Sequence, residues 1–181
     1  MALSDHIVCV SPISKNMDGG LDLVESEPEK CEKLECETLE AVHRFKFEIG
    51  GHDCDGEIGR LLDGALYGTM SHKFTKGDGT LRGVHEGIWR LRTGALVASG
   101  RLSGVTNAGT HREPVFDACQ KCEDPGVMEG MMIGKVLRGT SRLVGCEIRC
   151  AYRIRYEADE KGGSGDARGT LEGGLVCFCP E

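Results

Sequence analysis

From His43 the chain alternates. Phe45, Phe47 and Ile49 are set between Arg44, Lys46 and Glu48, the period-two pattern of a half-buried strand, and Gly50-Gly51 ends it. Short segments follow, separated by turn-forming clusters: Lys76-Gly77-Asp78-Gly79, Thr93-Gly94, Asn107-Ala108-Gly109, Asp124-Pro125-Gly126 and Lys161-Gly162-Gly163-Ser164-Gly165. The pattern predicts strands near 43–49, 64–74, 80–92, 95–106, 127–138, 145–158 and 167–179. Ile58 to Leu62 is an eighth strand or a short helix, and residues 110–125 make the longest connection. Evenly spaced strands and turns of this kind predict an antiparallel meander.

Glycine sharpens the picture. Gly64/Gly68, Gly79/Gly83/Gly87, Gly100/Gly104, Gly126/Gly130/Gly134 and Gly165/Gly169/Gly173 recur four apart, so within a strand each set lies on one face. Glycine weakens a strand unless the sheet bends sharply or another backbone comes close, as happens inside a small closed barrel. One glycine face reads Gly79, Leu81, Gly83, His85, Gly87, Trp89, Leu91, and its opposite face carries Arg82, Glu86, Arg90 and Arg92. The same alternation places Met70, His72, Leu102, Met128, Met132 and Tyr152 inside, lining a mostly apolar lumen with room for a guest. The fold class is therefore all-β, a single antiparallel meander closing into a seven- or eight-stranded barrel over residues 41–181. Residues 1–40, with Gly19-Gly20 and a run of glutamates from Glu25 to Glu40, read as an acidic, irregular peripheral segment.

Composition narrows the class of partner. With 22 basic and 29 acidic residues the net charge is -7, which repels phosphate backbones and argues against nucleic acid. Arg138, Arg142, Arg149, Arg153 and Arg155 cluster in sequence, but such runs are ordinarily solvated strand faces. No long apolar stretch or export signal is evident, so neither a membrane nor secretion is indicated and the chain reads as cytoplasmic. A homo-oligomer is left open. Glycine makes up 27 of 181 residues, about twice the ordinary share, without the three-residue period of collagen.

The segment from Gly64 to Cys179 resembles the small eight-stranded barrels of the calycin and allene oxide cyclase type. The carriers are Gly79-Thr80-Leu81-Arg82-Gly83-Val84-His85-Glu86-Gly87, the glycine-bounded meander, and the closing Gly169-Thr170-Leu171-Glu172-Gly173-Gly174. The resemblance implies the architecture and a habit of holding apolar small molecules in the lumen, to bind, cyclise or isomerise them. It carries over no individual residue role.

Two constellations could carry chemistry. His85, His72 and Tyr152 on the inner face are candidate catalytic groups: a neutral imidazole relays a proton, and a phenol donates to a developing oxyanion. Trp89, Met70, Met128, Met132 and Leu102 would then shape the pocket for a lipid-, polyketide- or terpenoid-like substrate. The competing reading makes all of these satisfied core residues. The second constellation is Cys119-Gln120-Lys121-Cys122, whose two thiolates could grip a structural zinc together with Cys177 and Cys179. A redox or disulfide pair and unligated thiols are the other readings of this motif. The sequence thus carries two functional hypotheses: an apolar-ligand barrel acting as binder, isomerase or cyclase, and a non-enzymatic binding or assembly protein with zinc or redox-active cysteines.

Overall fold

Each alternating segment forms a long strand whose apolar face turns inward. The computed structural model describes residues 7–26, 38–51, 57–77, 80–110, 126–158 and 164–179. Its strands are β1 (Ile7–Ser26), β2 (Thr38–Gly51), β3 (Gly64–Gly77), β4 (Thr80–Thr93), β5 (Val97–Thr110), β6 (Gly126–Arg138), β7 (Glu147–Ala158) and β8 (Gly165–Cys179). Every strand pairs antiparallel with the next and β1 pairs with β8, so the meander closes into the expected all-β barrel, with eight strands. Closure leaves no sheet edge.

One row of ladder partners fixes the geometry. Starting at Ala41 it runs through His72, His85, Gly104, Gly130, Tyr152, Leu171 and Lys15, and returns to β2 at Gly51, ten residues beyond its start. That stagger requires strands tilted by roughly 35–45° and leaves an interior about as wide as its side chains.

The reading that keeps residues 1–40 outside the barrel is corrected: Ile7–Ser26 supply β1, hydrogen-bonded to both β2 and β8. Two residues disguise it. Gly19 sits within the strand opposite Phe47, where a Cβ would overlap the Lys46 carbonyl, so it serves close packing rather than a turn. Lys15 occupies an inward position between Ile13 and Met17 and is fully buried, breaking the apolar alternation with a charge.

The two ends differ. At end A, where β1 begins, Ile58 to Leu62 resolves into the short helix α1 (Glu57–Arg60) followed by Leu62, which is buried as a plug. Beside it the β4–β5 turn is held by the Ala95 and Leu96 amides donating to Thr93 Oγ1, both at 3.0 Å. The β6–β7 connection buries Leu143 there and needs glycine at Gly145, whose φ of 86° is left-handed. At end B lie the connections β1–β2, β3–β4, β5–β6 and β7–β8. Apart from Lys15, charged residues of the strands line the outer face, while Phe45, Phe47, Leu66, Trp89, Leu171 and Leu175 belong to a single buried core.

Candidate functional site

Inward glycines decide which side chains meet across the barrel. Trp89 on β4 has Gly68 and Gly100 as its ladder neighbours, and a Cβ on Gly134 would strike its ring. The indole fits into that gap, and its N–H donates to the Arg101 carbonyl at 3.0 Å. In the row described above, His85 and Tyr152 are separated by Gly104 and Gly130. A Cβ at Gly130 would run into both the Ser103 carbonyl and the Tyr152 hydroxyl. Two successive positions without side chains therefore let a phenol on β7 reach an imidazole on β4.

The result is a buried polar network on five strands. His85 Nε2 hydrogen-bonds the Tyr152 hydroxyl, and His85 Nδ1 pairs with Thr106 Oγ1 at 2.7 Å. A neutral imidazole has one donor and one acceptor nitrogen, so both bonds are satisfied together whichever tautomer is present. On the adjacent strands His43 Nδ1 and His72 Nδ1 lie 3.0 Å apart, one donating to the other. His72 joins the halves: its ring centroid is 4.8 Å from that of His43 and 5.3 Å from those of His85 and Phe74. Among the described residues His72 Nε2 has no hydrogen-bond partner, although the side chain is only 3% exposed.

Burial sets the charge state. Desolvation, reinforced by repulsion from His43 and His85, lowers the His72 pKa to about 3. Desolvation likewise lowers His85 to about 4 and raises Tyr152 above the ordinary phenol value. All three are uncharged at neutral pH. His43, His72 and His85 each lie five residues from the end-B terminus of their strand, roughly 12 Å below the rim at the usual rise and tilt.

The structure brings His72, His85 and Tyr152 together as the sequence anticipates, and places Met70, Trp89, Leu102, Met128 and Met132 inside the same barrel. All five are 5% exposed or less and belong to the buried core. Sequence reasoning missed His43 and Thr106, although alternation carries the signal for both: His43 is in phase with Phe45 and Phe47, and Thr106 with Leu102 and Gly104.

The cysteines arrange differently from expectation. Cys177, anticipated as a zinc ligand, is joined to Cys146 in a disulfide, and a disulfide sulfur is no thiolate donor. Cys119 and Cys122 lie outside the described residues, and Cys179 is described only through its backbone. Among the described residues no group of three or more His, Cys, Asp or Glu side chains is arranged to hold a metal ion. Burial pushes the Cys150 thiol up to about 12, against the weaker effect of a backbone hydrogen bond from Gly174, leaving it a packing group. Disulfides persist where glutathione does not keep thiols reduced, whereas the cytoplasmic reading anticipates reduced thiols. No helix among the described residues is long and apolar enough to cross a membrane. In comparisons with protein-family models, curated proteins and solved structures, the chain matches none.

Proposed function

We propose that the barrel binds one uncharged, largely apolar molecule in its end-B half, with His72 Nε2 as the polar anchor and the His85–Tyr152 pair beside it. The observation that carries this reading is the buried His72 nitrogen with no partner among the described residues. Leaving such an atom unsatisfied costs about 1–3 kcal/mol, which a guest's hydroxyl or carbonyl would recover. Neutral imidazoles and phenol favour an uncharged guest, because an anion would find no counter-charge among them. Met70, Met128 and Met132 supply the room: unbranched and flexible, they can change rotamer to admit a molecule. The resemblance to ligand-holding calycin-type barrels points the same way.

Binding is favoured over isomerisation or cyclisation. A general base works best with a pKa near the operating pH, and His85 at about 4 is a weak one, while the Tyr152 proton is firmly held. The pair is better suited to orienting a polar atom than to moving a proton.

The environment-sensitive ketone prodan, uncharged and apolar with one carbonyl, tests the reading. Titrated into the protein, it should show saturable blue-shifted emission and quench Trp89, with His72→Phe weakening binding about tenfold or more, equivalent to about 1.4 kcal/mol. Far-UV circular dichroism verifies that the variant is folded. Aqueous-like emission with the native protein, or equal binding by folded His72→Phe, would sink the proposal.

A further inference from the structure

At end A three sulfurs stand in one row across three neighbouring strands. Cys9 on β1 is the direct ladder partner of Cys177 on β8, and Cys177 is bonded to Cys146, immediately before β7. Because Glu147 pairs with Val176, the same register continues from Cys146 to Cys177, whose Cα atoms are 4.5 Å apart. Directly opposed residues of an antiparallel ladder point to one face with Cα atoms about 4.5–5.5 Å apart, within the Cα separation a disulfide spans. Cys177 thus has a cysteine on either side, Cys9 as its ladder partner on β1 and Cys146 as its disulfide partner. Cys9 carries a thiol and is solvent-exposed, whereas Cys146 is buried in the core.

We propose that Cys9, Cys177 and Cys146 form a thiol–disulfide exchange site in which the bond migrates between Cys146–Cys177 and Cys9–Cys177. Cys9, its proton lost to solvent, attacks Cys177 Sγ as a thiolate. The Cys9–Cys177 bond forms, the Cys146–Cys177 bond breaks, and Cys146 leaves as a thiolate that takes up a proton. One disulfide and one thiol are present before and after, so no oxidant or reductant is consumed. The exchange also changes which connection is stapled. In the observed state the bond ties β8 to the turn that carries Leu143 and is closed by Val136 N–H donating to the Cys146 carbonyl at 2.9 Å. After migration it ties β8 to β1, and that turn is held by its hydrogen bonds and by Leu143 alone. The site is independent of the histidine network at the other end.

Peptide mapping of the full chain provides the test, since trypsin places Cys9, Cys146 and Cys177 on three different peptides and fragmentation at Phe178 separates Cys177 from Cys179. In a glutathione redox buffer, both Cys9–Cys177 and Cys146–Cys177 linked peptides are expected from the native sequence. The Cys146→Ser variant should convert mainly to the Cys9–Cys177 form while keeping its circular dichroism spectrum. Without added reductant, iodoacetamide should modify Cys146 at least about fivefold faster in the native chain than in Cys9→Ser. Absence of the Cys9–Cys177 peptide from both native chain and folded Cys146→Ser, or equal Cys146 labelling with and without Cys9, would overturn the exchange.

Discussion

Gly130 shows how a residue with no side chain can determine a site. A methyl group there meets a backbone carbonyl, Ser103 O, that cannot swing aside, and the phenol of Tyr152 that bonds His85. Gly130→Ala should therefore cost at least about 2 kcal/mol in urea unfolding, as overpacking does, and weaken prodan binding by displacing the phenol. Gly50→Ala is the control: nothing lies within 4 Å of its Cβ direction, and a change within about 0.5 kcal/mol is expected. Equal effects at the two positions would contradict the account of the site. Alternation alone was enough to put His72, His85 and Tyr152 inside, because facing is a local property of a strand. Which inward residues touch depends on ladder register and on gaps left by glycines in other strands, and no window of sequence around His85 contains Gly130 or Tyr152.

At the scale of elements, seven strands are legible and β1 is not, for a physical reason centred on Lys15. Its ammonium sits in a position that pattern reading reserves for apolar groups, and it is tolerated there because Asp63, downstream of α1, accepts its hydrogen bond at 2.7 Å. The partner is 48 residues away, so β1 taken alone looks like a polar segment. The ion pair also ties the β2–β3 connection to the wall of the barrel. Removing either partner should have unequal consequences. Asp63→Ala leaves a buried ammonium with less compensation and is expected to cost about 1–3 kcal/mol. Lys15→Met keeps the apolar stem and leaves Asp63, which is half-exposed, to water, so a loss within about 1 kcal/mol is expected. Urea midpoints of the two variants decide it; a Lys15→Met loss larger than that of Asp63→Ala would mean that the charge itself, not its burial, organises this end.

For the molecule as a whole, closure concentrates polar groups from separate strands in one dry interior, and stability becomes linked to pH through them. Folded His72 and His85 titrate at about 3 and about 4, while in the unfolded chain they return to 6.5. Between these limits the unfolded state binds more protons, so acidification favours unfolding: stability is fully present above about pH 7 and declines as pH falls below 6.5. Each histidine contributes up to about 1.4 kcal/mol per pH unit, hence roughly 2–3 kcal/mol per unit for the two together. Urea midpoints at pH 7.5, 6.0 and 5.0 should fall in that order, and His72→Phe should reduce the slope by about half. Global charge works in the opposite direction here. The chain carries a net charge of -7 at pH 7 and approaches neutrality near its pI of 5.4, so acidification over this range relieves self-repulsion. A midpoint that drops between pH 7 and 5 thus cannot come from the overall field and identifies the buried imidazoles, whereas a flat or rising midpoint would mean that they do not remain uncharged inside the barrel.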